Sequence, residues 1–272
     1  MKKFIFAAAL TAIGTFVVSN AQAETLRVGM ECTYAPFNYR TADGKMAGYD
    51  VDVAEGVAGI LGVKLEYVCQ QFDGLIPSLL ANKFDMIVAS MSITDERLKK
   101  MDFSIPYRVS IGRFVGAKDK QLKLFDSDGK PIPENFDGLT IGVERSTTYS
   151  KWIEAKLPGA QIQLYDSGQA MLLDLRSGRV DVAITNPMKA YLEFLSKDEG
   201  KTFDFVSPPI DEKAYFGTGV GIGIRKGQDE LVHKVDAALK TLIDNGSLDA
   251  YGRKYFPFSI SPDKWNNAST GQ

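Results

Sequence analysis

The chain is 272 residues long, 44% hydrophobic and 24% charged, with a formal net charge of −2. That acidic balance argues against a nucleic-acid partner, which calls for a basic face, and the ordinary apolar content suits one large globular domain or two small ones. His233 is the only histidine, and Cys32 and Cys69 are the only cysteines, so no spacing points to a metal site or a bound cofactor.

The first residues read as an export signal. Met1-Lys2-Lys3 is basic, Phe4 to Val18 is apolar with small polar interruptions, and Ala21-Gln22-Ala23 has the small-x-small pattern of a signal-peptidase site. Cleavage after Ala23 leaves a mature chain beginning at Glu24; losing Lys2 and Lys3 takes its net charge from −2 to −4. The apolar run is too short to span a bilayer comfortably, and no later run approaches the ~20 residues a spanning helix needs. No cysteine stands at the cleavage point to carry a lipid. The expected product is soluble and exported.

Leu26 to Met30 is expected as a first strand, Tyr49 to Ile60 as a helix stopped by Gly62, and Lys64 to Val68 as a second strand. Cys32 follows the first strand and Cys69 the second. Adjacent parallel strands bring the two sulfurs together in an oxidising compartment, and any other register leaves two buried thiols; both readings stand open.

Residues 72–97, FDGLIPSLLANKFDMIVASMSITDER, carry more information than any other stretch. Leu75, Ile76, Leu79 and Leu80 recur at helical spacing, Asn82 supplies a stop, and Met86 to Ala89 is a short apolar run suited to a covered parallel strand. That strand delivers Ser90 and Ser92 to its carboxyl end, where open α/β sheets bind ligands. Thr94 reads as an N-cap with Asp95 and Glu96 in the first turn, which places Arg97 near the serines. A guanidinium beside two hydroxyls makes a carboxylate seat, because a planar fork of donors matches a carboxylate bidentately. The alternative is a surface arginine paired with Asp95 or Asp102.

The run from Phe114 to Gly138 is polar and reads as a surface loop opening a second lobe. Leu139 to Val143 is a strand, and Ser146-Thr147-Thr148 opens a helix carrying Trp152 and Ile153, whose free N–H groups suit an anion. An internal echo points to two lobes built alike: LLANKFDMIVAS from Leu79 returns in outline as DLRSGRVDVAITN at 174–186, and Ser90 corresponds to Asn186. A match this short is also compatible with chance similarity between two common α/β units. GTGVGIGI at 217–224 has glycines alternating with Val220, Ile222 and Ile224, a strand pattern and not a dinucleotide fingerprint, and is expected to cross back to the first lobe. Asp229 to Asp244 is an amphipathic helix ended by Asn245-Gly246.

TYAPF at 33–37, GYDVDVA at 48–54, FDGLIPSL at 72–79, SMSITDER at 90–97, DFSIPY at 102–107, GVERSTT at 142–148 and YFGTGVGIGIRK at 215–226 resemble the periplasmic solute-binding proteins that feed ABC importers of polar amino acids. The resemblance is to the lysine/arginine/ornithine- and histidine-binding branch and the related opine-binding proteins, over nearly all of the mature chain. It implies an α/β, periplasmic-binding-protein-like fold of type II, with two α/β lobes joined by two hinge strands and a ligand cleft between them. Residues 1–23 are then the signal peptide, 24–112 and 217–272 the first lobe, and 113–216 the second. It also implies a periplasmic monomer without a cofactor, which closes over one small-molecule ligand and docks transiently on an ABC permease in the inner membrane.

By the same resemblance, Arg97 clamps the ligand's carboxylate with help from Ser92 and, across the cleft, Thr148. Ser90 meets the α-amino end, Met91 accompanies it between the two serines, and Thr147 is a second-lobe contact. Tyr34 and Phe72 sandwich the ligand's side chain, which suits an aliphatic stem or a stacked guanidinium. Glu31 falls where the basic-amino-acid binders carry an aspartate for the ligand's distal cation, and Tyr215 lines the site near the second hinge strand.

Three departures qualify this. The second-lobe aspartate that neutralises the α-ammonium is Asn186 here, as the opine binders also lack it, so an opine or another N-substituted amino acid joins the candidates beside arginine, lysine, ornithine and histidine. Ser146 replaces a usual glycine, and Arg145 beside it faces either solvent or a second carboxylate. The disulfide of the basic-amino-acid branch joins positions that are not cysteine here. Other readings are a binder of a neutral polar amino acid such as glutamine, an enzyme resembling cyclohexadienyl dehydratase with Glu31 or Glu144 as its acid, and a receptor's sensing domain, against which stands the lack of a spanning segment before Gln272.

Overall fold

The computed structural model describes residues 24–261; the export signal with its cleavage point, and residues 262–272, lie outside the described residues. Two five-stranded mixed sheets form two lobes. In the first, Lys64–Cys69, Thr25–Met30 and Met86–Ile87 lie parallel in that order, followed by Gly223–Ile224, antiparallel to Met86–Ile87, and by Asp102–Phe103 at the edge. In the second, Gln161–Tyr165, Thr140–Glu144 and Val182–Thr185 lie parallel, followed by Arg113–Ala117, antiparallel, and by Phe203–Phe205. Each sheet therefore takes its fourth strand from chain that has just crossed from the other lobe.

Side chains alternate across each sheet as a doubly covered strand requires. Met86 and Val88 enter the core beneath the helices Tyr49–Leu61 and Asp229–Asp244, while Ile87 and Ala89 pack on the opposite face with Leu75 and Leu79 of helix Phe72–Leu80. Val182 and Ile184 meet Trp152 on one face of the second sheet; Ala183 meets Met171 and Leu175 on the other. Gly29 permits one close approach: a Cβ there would lie 2.5 Å from the Phe84 ring.

The echo between residues 79–90 and 174–186 has a structural cause. Asp85 exchanges backbone hydrogen bonds with Arg27, its N–H donating to the Arg27 carbonyl at 2.9 Å and its carboxylate accepting from the Arg27 N–H at 2.9 Å. Asp181 makes the same pair with Thr140, at 2.9 Å and 2.9 Å. Each aspartate closes the start of a ladder between two parallel strands, where a backbone donor would otherwise be left unpaired.

Cys69 stands opposite Met30, two residues before Cys32, and the two cysteines form a disulfide with Cα atoms 5.6 Å apart. The crossovers pair with one another near Val220, whose N–H donates to Arg108 O at 2.8 Å and whose carbonyl accepts from Tyr107 at 2.9 Å. Gly217 enters this junction with φ 71°, and a Cβ would lie 1.7 Å from Ile93 O.

The expected surface loop at 114–138 is corrected at its start. Arg113–Ala117 is an interior strand with Phe114 and Val115 fully buried, and Leu124 and Phe136 anchor the remainder in the second core. A strand of five residues holding only two large apolar side chains gives too little periodicity to be seen among polar neighbours.

Candidate functional site

Three strands run toward the gap between the lobes, and just past each end the chain turns at a non-glycine residue with positive φ: Cys32 at 64°, Ser90 at 54° and Ser146 at 60°. Such conformations are strained for side-chain-bearing residues and gather at functional sites. At 146 such a φ is one that glycine would adopt without strain. The turns bring Glu31, Tyr34, Phe72, Ser90, Ser92 and Arg97 of the first lobe against Glu144, Thr147, Thr148 and Tyr149 of the second, around a cavity of about 30 Å³.

Arg97 sits in the short helix Asp95–Leu98, capped by Thr94, whose hydroxyl accepts from the Arg97 N–H at 3.3 Å. Its guanidinium is buried under the Phe72 ring, 5.5 Å from the centroid, and donates only to carbonyls: Nη1 to Ser92 O at 3.0 Å and Nη2 to Ser146 O at 3.1 Å. Burial lowers its pKa to about 10, so it stays charged at neutral pH. Among the described residues no carboxylate forms an ion pair with it, and the alternative pairing with Asp95 or Asp102 is not what the structure shows; Asp102 pairs with Lys226. A buried cation bonded only to backbone oxygens has its charge still uncompensated, which is the chemistry that can receive an anion.

The neighbouring hydroxyls are differently committed. Ser90 donates at 2.7 Å to Asp50, a fully buried carboxylate that also accepts from Asn38 Nδ2 and Tyr107 OH, both at 2.8 Å. Ser92 shares a hydrogen bond with Ser110 at 2.7 Å. Thr147 caps helix Thr148–Lys156, accepting from Ser150 N and donating to Glu144 O at 2.7 Å.

The acids face one another across the gap. Glu31, 6% exposed, accepts from Thr33 Oγ1 at 2.9 Å. Glu144, 5% exposed, ends strand Thr140–Glu144 and lines the same cavity as Glu31. Burial raises the pKa of both; for Glu144, held well above the usual carboxylate range, the nearby charge of Glu31 adds to burial, and Lys189 opposes. Lys189 is fully buried, ion-paired with Glu193, with its ammonium 4.6 Å from the Tyr34 ring centroid.

Three expected site residues do not line the cavity. Met91 is core, packed with Ile87 and Met101. Tyr215 borders the wider groove outside, with the Lys156 ammonium 5.4 Å from its ring. Asn186, expected to accept from an amine, spends its Oδ1 on capping helix Pro187–Ala190, accepting from Met188 N at 2.9 Å and Lys189 N at 3.4 Å; its buried Nδ2 has no partner. Arg145 faces outward and pairs with Asp166 at 2.9 Å. Glu144, Tyr149 and Lys189 are additions, and of these only Glu144 was named from the sequence, as the possible acid of an enzyme on this scaffold.

Two lobes, crossed twice by the chain and closing on a charged cleft, define a two-lobed solute-binding protein. Residues 26–258 match the model of the bacterial extracellular solute-binding proteins, family 3, and the chain belongs to that family. It is 36% identical to the L-arginine-binding protein of Pseudomonas aeruginosa over 96% of this chain and 98% of that one. It is 33% identical to the lysine/arginine/ornithine-binding periplasmic protein of Escherichia coli, covering 97% and 100%. Among solved structures, an arginine-specific periplasmic binding protein of Salmonella typhimurium superposes with a TM-score of 0.77 at 28% identity, covering 86% and 100%. The fold is thus the type II periplasmic-binding-protein arrangement, and these relatives are binding proteins rather than enzymes.

Proposed function

We propose that this protein captures a polar, cationic amino acid or amino-acid derivative (arginine, lysine, ornithine, histidine or an opine) in the periplasm by lobe closure and delivers it, as a monomer, to an ABC permease of the inner membrane. The observation that carries the reading is Arg97, buried without an acidic partner and bonded to backbone oxygens of both lobes. A ligand carboxylate would take the place of the Ser146 carbonyl as its acceptor. Tyr34 and Phe72 flank the path of the side chain toward Glu31, with Ser90, Ser92, Thr147 and Thr148 around the α-carbon end. The cavity of about 30 Å³ holds little more than a water or two, so entry of an amino acid requires the lobes to part about the crossovers near Val220. In this reading the first lobe is 24–112 with 217–272 and the second 113–216, limits that the crossovers near Val220 support for the described residues, and cleavage after Ala23 yields the exported form.

Calorimetry on the mature protein with arginine, lysine, ornithine, histidine, glutamine, octopine and nopaline tests the reading. Tight binding of at least one cationic member is expected; binding of glutamine alone would overturn the cationic class.

A further inference from the structure

Glu144 is a buried acid with a free edge. Its side chain lines the cavity, and Oε1 has no donor when both it and Glu31 are ionised. Two buried carboxyls lining one cavity of about 30 Å³ resist being ionised together, because like charges repel in a poorly solvated site. A cation that displaces the remaining proton satisfies both at once. Asn186 cannot serve in that way, since its acceptor oxygen is spent on its own helix.

We propose that Glu144 is a specificity-determining residue: with Glu31 it forms a two-carboxylate clamp, one acid from each lobe, that receives the cationic end of the ligand's side chain. The proposal rests on the amino-acid-binding reading above and deepens it. Closure brings the second acid to the cation, so charge recognition and lobe closure become one event, and a ligand with a neutral tail gains only the Arg97 end. The other charged and titratable groups around the pair are Lys189 with its partner Glu193, Asp50 and Asp73 at the starts of their helices, and the hydroxyls of Tyr34 and Tyr149. Of the cations nearby, Lys189 is tied to Glu193, and Arg97, which lines the same cavity, donates to the carbonyls of Ser92 and Ser146. The clamp therefore keeps negative charge for a ligand to neutralise.

Arginine and citrulline, nearly isosteric and differing in one charge, separate this role from a structural one. Wild type is expected to prefer arginine, and Glu144→Gln to reduce the arginine-to-citrulline affinity ratio by roughly tenfold or more. An unchanged ratio in a variant that still binds both overturns the clamp. Calorimetry of wild type in phosphate and in Tris supplies a second measurement that needs no variant: arginine should release protons and citrulline should not, and equal proton counts also overturn it. If wild type binds arginine without preferring it to citrulline, the clamp falls and the amino-acid reading stands; if it binds neither, nor any other amino acid tested above, both fall.

Discussion

Arg97 Nη2 donates to the carbonyl of Ser146 at 3.1 Å, tying the guanidinium of the first lobe to the turn that opens a helix of the second. A ligand carboxylate that claims this fork inherits a donor already aimed across the cleft. Arg97→Lys keeps the charge and loses the fork. It should weaken ligand binding by roughly a hundredfold, with a still larger loss for Arg97→Ala. Calorimetry with the wild-type ligand checks this, and near-native affinity of Arg97→Lys would remove bidentate recognition from the account.

Asp50 joins three parts of the molecule, through Asn38 beside the disulfide, Ser90 at the cavity and Tyr107 at the crossover. Asp50→Asn preserves shape but turns a donor toward donors. A loss of about 2–3 kcal/mol in urea unfolding is expected, together with weaker binding because Ser90 and Tyr107 lose their anchor. A change below ~0.5 kcal/mol, the range of ordinary surface substitutions, would show that the network does not bear on stability.

Gly217 and Gly227 both have positive φ, but a Cβ at 217 would collide with Ile93 O at 1.7 Å, whereas one at 227 meets nothing within 4 Å. Gly227→Ala should cost about 1 kcal/mol from strain alone. Gly217→Ala must also displace the crossover, so it should be the more destabilising and should raise the Kd, which Gly227→Ala leaves alone. Equal effects in paired unfolding and binding titrations would contradict this view of the junction.

The pH dependence has two parts of opposite sign. The raised pKa of Glu144 means that the folded protein holds its proton more tightly than the unfolded chain, so its contribution is present below about 4.5, the unfolded value, and is lost as pH rises toward the folded value. For Asp85, burial is outweighed by the hydrogen bonds from Arg27, and for Asp181 by those from Lys120 and Thr140, so both pKa values are lowered. Their contributions are present above the ordinary aspartate range and lost as pH falls through the lowered values. Unfolding of wild type should thus show stability declining as pH rises above about 4.5 in the absence of ligand, with Glu144→Gln flattening that limb alone. An identical slope in the variant would place the titration elsewhere.

The order of helices and strands was legible in the sequence, because Leu75, Leu79 and the run from Met86 to Ala89 declare their partners by period. Arg97 was legible through its cap and its serines. The strand Arg113–Ala117 was not, since its burial comes from lying between Val182–Thr185 and Phe203–Phe205, both remote in sequence.

By itself, then, the sequence determined most of the local elements and the family, and pointed to Arg97 as a candidate carboxylate anchor, all of which depend on spacing within a few residues or on matching motifs. Tertiary structure alone decided that Cys32 meets Cys69, that Asn186 gives its oxygen to a helix cap, and that Glu144 faces Glu31 beside a buried Lys189. The physical reason is that a polar side chain's role follows from which donors and charges desolvation leaves beside it, and in this molecule those partners arrive from the other lobe or from a strand many residues away.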